Sequence, residues 1–408
     1  MPSFSIALTG LQADTVALNT VGNNLANLNT TAFKKQSTSF EDLFYQQIGT
    51  SGSNNAIQIG VGTKVSSTAT SYTQGSLSTT GNSTDMALSG DGFFVVQQGG
   101  VQSLTRAGNF QLDSTGNLTT VDGAQVMGYG AVNGVVSTNG SLAALKLPIG
   151  TTQAAVATQN VRLTANLNAG SSVGTQFTTP VTMYDSLGQT HPATITYTKT
   201  GANAWGYAVA LPAGDATGAT NNTGTLTFNS AGTLVTPAAN VSGISFTGLT
   251  DGASNLNFNW NMYDSNGNPT IAQSTGASTT TTTSQDGYAS GVYQSFSVDA
   301  SGVISASFSN GQTTAMGQVA IASVANEQGL VLAGNNNFKT TPSSGLASIG
   351  VAGAGGRGTI QDSALEQSNV DISTQFADLI VAQRAFEANS KTVTAFDSVT
   401  QVTIGMIR

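Results

Sequence analysis

The residues best equipped for chemistry in this 408-residue chain are few and scattered. Its one histidine, His191, stands in Asp185-Ser186-Leu187-Gly188-Gln189-Thr190-His191-Pro192. An Asp–His–Ser set can be drawn on paper from so many serines, but none sits on a strand-to-helix nucleophile elbow. A lone imidazole binds a metal only with carboxylates beside it, and no ligand cluster along the chain has suitable spacing. His191, after a turn and before a proline, therefore reads as structural.

The other candidate motifs are no stronger. Gly353-Ala354-Gly355-Gly356-Arg357-Gly358 has the spacing of a dinucleotide-binding turn. Such a turn must join a strand to a helix whose N-terminus meets the pyrophosphate. Here a polar stretch, 359–369, follows instead, and in a chain with 48 Gly the spacing arises by chance. Asp264-Ser265-Asn266-Gly267 opens like a calcium loop, but no glutamate closes it. Asn82-Ser83-Thr84 is a sequon that an Asn/Ser/Thr-rich composition produces freely. There is no Cys, which removes disulfides, zinc–thiolate sites and iron–sulfur clusters. No catalytic residue, metal or cofactor is expected.

Composition narrows the class further. Charged residues make up 8% of the chain, against roughly 25% in ordinary globular proteins. No Lys or Arg occurs between Lys199 and Lys339. Clustered cations are what bind nucleic acid or an anionic membrane surface, so neither is an expected partner. No apolar stretch is long enough to span a bilayer, and the first residues lack the basic region of a cleavable signal peptide. If the protein is exported, it leaves by a route that needs no such peptide. Abundant Thr, Val and Gly with little Glu or Lys predict β-strands and tight turns.

The two ends differ from this middle. Phe4, Leu8, Leu11, Leu18 and Leu25 fall on one heptad seam, interrupted at Thr15 and Gly22. Ile372, Phe376, Leu379, Phe386 and Val393 repeat the pattern, with Asp371 as the expected helix cap. At 1.5 Å per residue these helices would be about 37 and about 55 Å long. Each carries an apolar stripe that it cannot bury alone. The two are expected to pair, and the seams fit a coiled coil between neighbouring subunits.

Between them lie alternating segments and turns. Gly92-Phe93-Phe94-Val95-Val96-Gln97 precedes a Gly99-Gly100 turn, and Asp113-Ser114-Thr115-Gly116 and Asp299-Ala300-Ser301-Gly302 are Asp-x-x-Gly turns. Trp205 and Trp260 sit in alternating strands and are expected in a core. Polar stretches at 147–152 and at 278–284, the latter almost all threonine, are expected to mark domain boundaries. The predicted architecture is mainly β, with two β-rich domains and long N- and C-terminal α-helices pairing as a coiled coil. Residues 1–30 with 371–408 form the helical part, 31–70 with 364–370 a connector, and 71–149 with 286–363 an inner β domain. Residues 150–285 form an outer β domain inserted in the inner one.

Several motifs resemble those of the axial proteins of the bacterial flagellum: the rod, hook and hook-associated proteins. At the N-terminus these are Leu8-Thr9-Gly10-Leu11-Gln12-Ala13, Asn23-Asn24-Leu25-Ala26-Asn27-Leu28-Asn29-Thr30 and Thr31-Ala32-Phe33-Lys34-Lys35. In the last, Ala32 stands where the family has glycine, so positive φ is not expected there. At the C-terminus they are Leu365-Glu366-Gln367-Ser368-Asn369-Val370-Asp371 and the stretch from Gln383 to Lys391. Gly90-Asp91-Gly92-Phe93-Phe94 and Thr105-Arg106-Ala107-Gly108-Asn109-Phe110 belong to the same set.

Met183-Tyr184-Asp185-Ser186-Leu187-Gly188-Gln189-Thr190-His191 and Gln285-Asp286-Gly287-Tyr288 are similar to the hook members in particular. Residues 46–60 resemble an extension of the distal rod. The resemblance implies a structural subunit, not an enzyme, that self-assembles into a flexible tube transmitting motor torque outside the cell. Phe4, Leu8, Leu11, Leu18, Leu25, Asn27, Ile372, Phe376, Leu379, Phe386 and Val393 would then carry assembly. The implied partners are other copies of itself, the distal rod, the hook cap, the hook–filament junction proteins and the flagellar export apparatus. A rod or hook-associated protein is the nearest alternative. A secreted β-rich adhesin is the other class, but it would need exposed aromatic platforms and leaves both helical seams unexplained.

Overall fold

A computed structural model describes residues 2–51 and 56–406. Helices occupy the ends: α1 spans Pro2–Ala26 and α2 spans Ile372–Met406. Both run unbroken because no proline follows Pro2 within them. Asp371 caps α2, its Oδ1 accepting the backbone N–H of Thr374 at 2.7 Å. That bond holds the Asp371 carboxyl below its ordinary pKa and satisfies one donor at the helix start. Among the described residues, no helix is long and apolar enough to cross a membrane.

The chain divides into two compact units. The first comprises Met1–Ile149, Phe296–Ala306 and Thr314–Arg408; the second comprises Gly150–Ser295 and Ser307–Thr313. The second unit runs past residue 285 because Gly291 and Val292 pair with Gln153 and Thr152. The threonine-rich stretch expected as a boundary is in fact a strand, Thr279–Gln285, antiparallel to Asn160–Asn168. β-Branched threonine fits a pleated, half-buried surface, so a run of it favours a sheet over a linker.

In the second unit two sheets share one core. One contains Gln176–Tyr184, Thr190–Gly201, Ala204–Ala210, Thr223–Phe228 and Leu234–Thr236. The other contains Asn160–Asn168, Ala216–Thr220, Val241–Leu249, Leu256–Trp260, Ile271–Ser274 and Thr279–Gln285. Along Thr190–Gly201 burial alternates residue by residue, the period-two signature of a strand with one face in a core. Trp205 and Trp260 are both fully buried in that core, as their strand patterns predict.

The first unit holds a smaller β core around Phe93, Val95, Leu104, Met127, Tyr129 and Phe338. Phe93–Gln98 and Val101–Thr105 form a hairpin whose Gly99 and Gly100 take positive φ, 56° and 83°. This gives the turn the handedness that a twisted hairpin needs. Gln36–Asp42 pairs with Thr63–Thr70, and Tyr45–Thr50 with Ala56–Gly60. In the latter pair nearly every side chain is exposed. The Asp113 and Asp299 turns form as expected: each carboxylate accepts backbone N–H groups two and four residues on.

Ala32 overturns the expectation about its backbone. Its φ is +56°, the left-handed region. The residue is buried, and its N–H is committed to the carbonyl of Glu366 at 2.8 Å. That tertiary bond, in the tight turn after α1, outweighs the roughly 1–2 kcal/mol that a Cβ costs there.

Candidate functional site: the terminal helices and the junction behind them

The helices meet each other, but through small and polar side chains. On α1 the buried positions are Ala7, Gly10, Ala13, Thr20 and Asn24. A Cβ at Gly10 would lie 2.7 Å from Nδ2 of Asn389, so glycine is what allows α2 so near. Asn389 donates to Asp14 at 2.8 Å, and Asn24 donates to Gln375 at 2.8 Å across the helix pair. Asn24 also brackets Gln36, donating to its carbonyl and accepting its N–H. These bonds set the register of α1, α2 and the strand that follows α1.

The apolar seam read from the sequence is left largely uncovered by this contact. Phe4, Leu8, Ile372, Phe376 and Phe386 are exposed, at 48%, 43%, 46%, 51% and 37%. Leu11, Leu18, Leu25, Leu379 and Val393 are half-buried. Asn27 serves α1 itself, donating to the carbonyl of Asn23 and accepting from the Thr30 hydroxyl. Val399, Val402, Ile404 and Met406 extend the exposed apolar surface of α2. Beside the helix pair lies a groove of about 460 Å³ lined by Ala17, Val21, Phe40, Val381 and Ala382 among others.

Behind the helices, three of the motifs noted in the sequence converge on one buried ion cluster. Lys34 Nζ lies 2.6 Å from Glu366 Oε1, with 1% and 0% of the two side chains exposed. Arg106 Nε lies 3.7 Å from Glu366 Oε2. Lys34 also donates to the Thr73 carbonyl, Gly75 N–H donates to Glu366, and Arg106 Nη1 donates to the Gly90 carbonyl. Burial pulls the Lys34 pKa below its usual value, although Glu366 beside it works in the opposite direction. Asn369 completes the junction, accepting from Lys35 N–H and donating to the carbonyls of Ser71 and Thr73. The arrangement ties the segments next to both helices to the body of the first unit. Nothing local marks Lys34 and Glu366 as partners, since they are 332 residues apart.

In the second unit His191 has more company than the sequence predicted. Its Nε2 is 3.1 Å from Asp185 Oδ2 and 3.4 Å from Asp251 Oδ2, and its Nδ1 is 3.3 Å from Asp215 Oδ2. The fold, not the spacing along the chain, assembles these carboxylates. Asp185, His191 and Asp251 each bring one oxygen or nitrogen within 4.8 Å of the others, as a divalent ion would require. The ring, however, faces a carboxylate at both nitrogens, the setting of a doubly protonated imidazolium. At 353–358 no dinucleotide cradle forms. Arg357 fills that space, donating to the carbonyls of Ala354 and Ser348.

Four flagellar domain families match in chain order. "Flagella basal body rod protein" covers residues 4–34, and "Flagellar hook protein FlgE/F/G D1 domain" covers 87–161. "Flagellar basal body protein FlaE D2 domain" covers 164–288, and "Flagellar basal body rod FlgEFG protein C-terminal" covers 361–406. All four are named for proteins of the flagellar basal body, rod or hook. The flagellar hook protein FlgE of Escherichia coli K12 is 33% identical over 99% of this chain and 100% of its own. That of Treponema pallidum (strain Nichols) is 32% identical over 100% of both. The crystal structure of Helicobacter pylori flagellar hook protein FlgE2 shares the fold, with a TM-score of 0.55 at 15% identity over 71% of this chain and 100% of that one. The chain belongs to the flagellar hook protein family, which places it in the flagellum.

Proposed function

We propose that this chain is a building block of the flagellar hook, with a structural and not a catalytic role. It polymerises with copies of itself into a flexible tube that passes motor torque to the filament. The terminal helices make the contacts between subunits. The carrying observation is the exposed apolar seam: Phe4 and Leu8 on α1, and Ile372, Phe376 and Phe386 on α2. Burying each such side chain contributes about 1.5–3 kcal/mol, and every subunit gains it at several contacts. The groove beside the helix pair is a receptor for a neighbour's apolar side chain. The low charge of the chain suits bending. Hydrogen bonds from Ser, Thr and Asn are worth about 1 kcal/mol each and exchange readily with water, whereas a lattice of ion pairs would lock. At the ends of the tube the neighbours are the distal rod, the hook cap and the junction proteins, and subunits reach it through the flagellar export apparatus.

The test is electron microscopy of the concentrated protein, with Leu8→Asp and Phe376→Asp beside the wild type. Tubes are expected from the wild type only, while the melting of both variants as monomers barely moves. Tubes from both variants, or collapse of the monomer fold, would overturn the assignment of the seam.

A further inference from the structure

We propose that His191 is the proton-operated clasp of the second unit, holding the ends of its two sheets together while the imidazole is charged. His191 stands at the start of strand Thr190–Gly201, and Asp185 lies in the turn just before it, both in one sheet. Asp215 immediately precedes Ala216–Thr220, and Asp251 lies just after Val241–Leu249, both in the other sheet. The histidine thus bridges the sheets, with Asp185 beside it and Asp215 and Asp251 across from it. The ring and Asp185 are buried, so water screens that contact little, whereas Asp215 and Asp251 reach the ring from partly exposed positions.

The charge inventory leaves no substitute cation. The second unit contains five Asp, no Glu, and only Arg162 and Lys199 as bases. Lys199 Nζ is held by the Ala202 carbonyl and Gln273, and Arg162 reaches the Tyr263 carbonyl. Asp264 is engaged in its own turn, and Asp286 accepts the backbone N–H groups of Gln159 and Asn160. Three of the five carboxylates therefore converge on one ring. Uncharged, that ring would leave them to repel one another at close range.

The carboxylate side is fixed independently. Asp185 Oδ1 accepts the backbone N–H groups of Leu187 and Gln189, which presents Oδ2 to the ring. Burial would raise the Asp185 pKa, but the hydrogen bonds from His191 and from those N–H groups outweigh it and hold it below its ordinary value. Burial likewise opposes charge on His191, yet the hydrogen bonds to Asp185 and Asp215 and the charges of Asp185 and Asp251 prevail, and its pKa rises above 6.5. A raised histidine pKa gives stability that is complete below the unfolded value and lost as pH climbs through the folded one. The clasp is closed below the unfolded histidine pKa and is released as pH climbs through the raised folded one. Release loosens an end of the unit that carries the exposed Leu187.

The chain is convenient for the test, because His191 is its sole histidine and both tryptophans lie in the second unit. With untagged protein, the imidazole resonances are titrated by NMR in buffer and in concentrated urea, and thermal unfolding is followed by tryptophan fluorescence from about pH 6 to 9. The folded midpoint is expected above the urea midpoint, and Asp215→Asn and Asp251→Asn should each lower it. The fluorescence transition of the wild type should fall with rising pH, while that of His191→Gln stays flat. If His191→Gln does not fold, the two Asp variants alone carry the test. A folded midpoint at or below that in urea, or one unmoved by both Asp variants, overturns the proposal. So does a wild-type transition that zinc restores at alkaline pH and chelation removes, which would make the cluster a metal site.

Discussion

Replacing Glu366 by Gln tests whether the buried junction carries the stability of the first unit. Glutamine keeps the shape and can still accept from Lys34 and Gly75, but it deprives two buried cations of the carboxylate that both approach. Exposed ion pairs are worth 1 kcal/mol or less. Breaking one side of a buried pair typically costs about 3–5 kcal/mol, because the other charge stays behind uncompensated. With 1% and 0% side-chain exposure, Lys34 and Glu366 belong to the second case. A loss of about 3 kcal/mol is expected, since the retained hydrogen bonds offset part of the cost. At about 2–4 °C per kcal/mol, the midpoint of the first unit should fall by roughly 6–12 °C.

Circular dichroism near 222 nm reads this, because both helices lie in the first unit, and tryptophan fluorescence of the second unit is the internal control. The pH dependence gives a further check. Lys34 has a folded pKa below its unfolded one, so the unfolded chain binds more protons between the two values and stability rises with pH there. Removing the Glu366 charge deepens that depression, so the deficit of the variant should shrink in alkaline solution. Lys34→Met combined with Glu366→Gln should recover much of the loss. A deficit under about 1 kcal/mol, or strictly additive single and double variants, would refute the reasoning.

Three further outcomes concern the same unit. Ala32→Gly should stay within about 1 kcal/mol of wild type, since relief of the left-handed strain is offset by the lost buried methyl and a freer unfolded chain. Ala32→Val should cost about 2–3 kcal/mol by adding a β-branched clash, measured by the same dichroism melt. Removing residues 46–60, whose described side chains are almost all exposed, should leave monomer melting unchanged but lower the bending stiffness of isolated tubes. Equal stiffness would reduce this hairpin to a passive loop.

What the sequence determined by itself was local. Seams of period seven, an Asp cap, Asp-x-x-Gly turns and alternating strands depend on neighbours within a few residues, so they were legible without a fold. Asp371 does cap α2, and Trp205 and Trp260 are core. Tertiary structure decided which face of each helix meets the other. The sequence singled out the leucine stripe, but close approach favours Ala7, Gly10 and Ala13, and the apolar stripe stays open. It also decided that Lys34 meets Glu366, that Ala32 accepts a positive φ, and that Asp215 and Asp251 surround His191. Each of these pairs residues far apart along the chain. Their energies exist only once folding has removed water and brought the partners together, and no residue spacing records that.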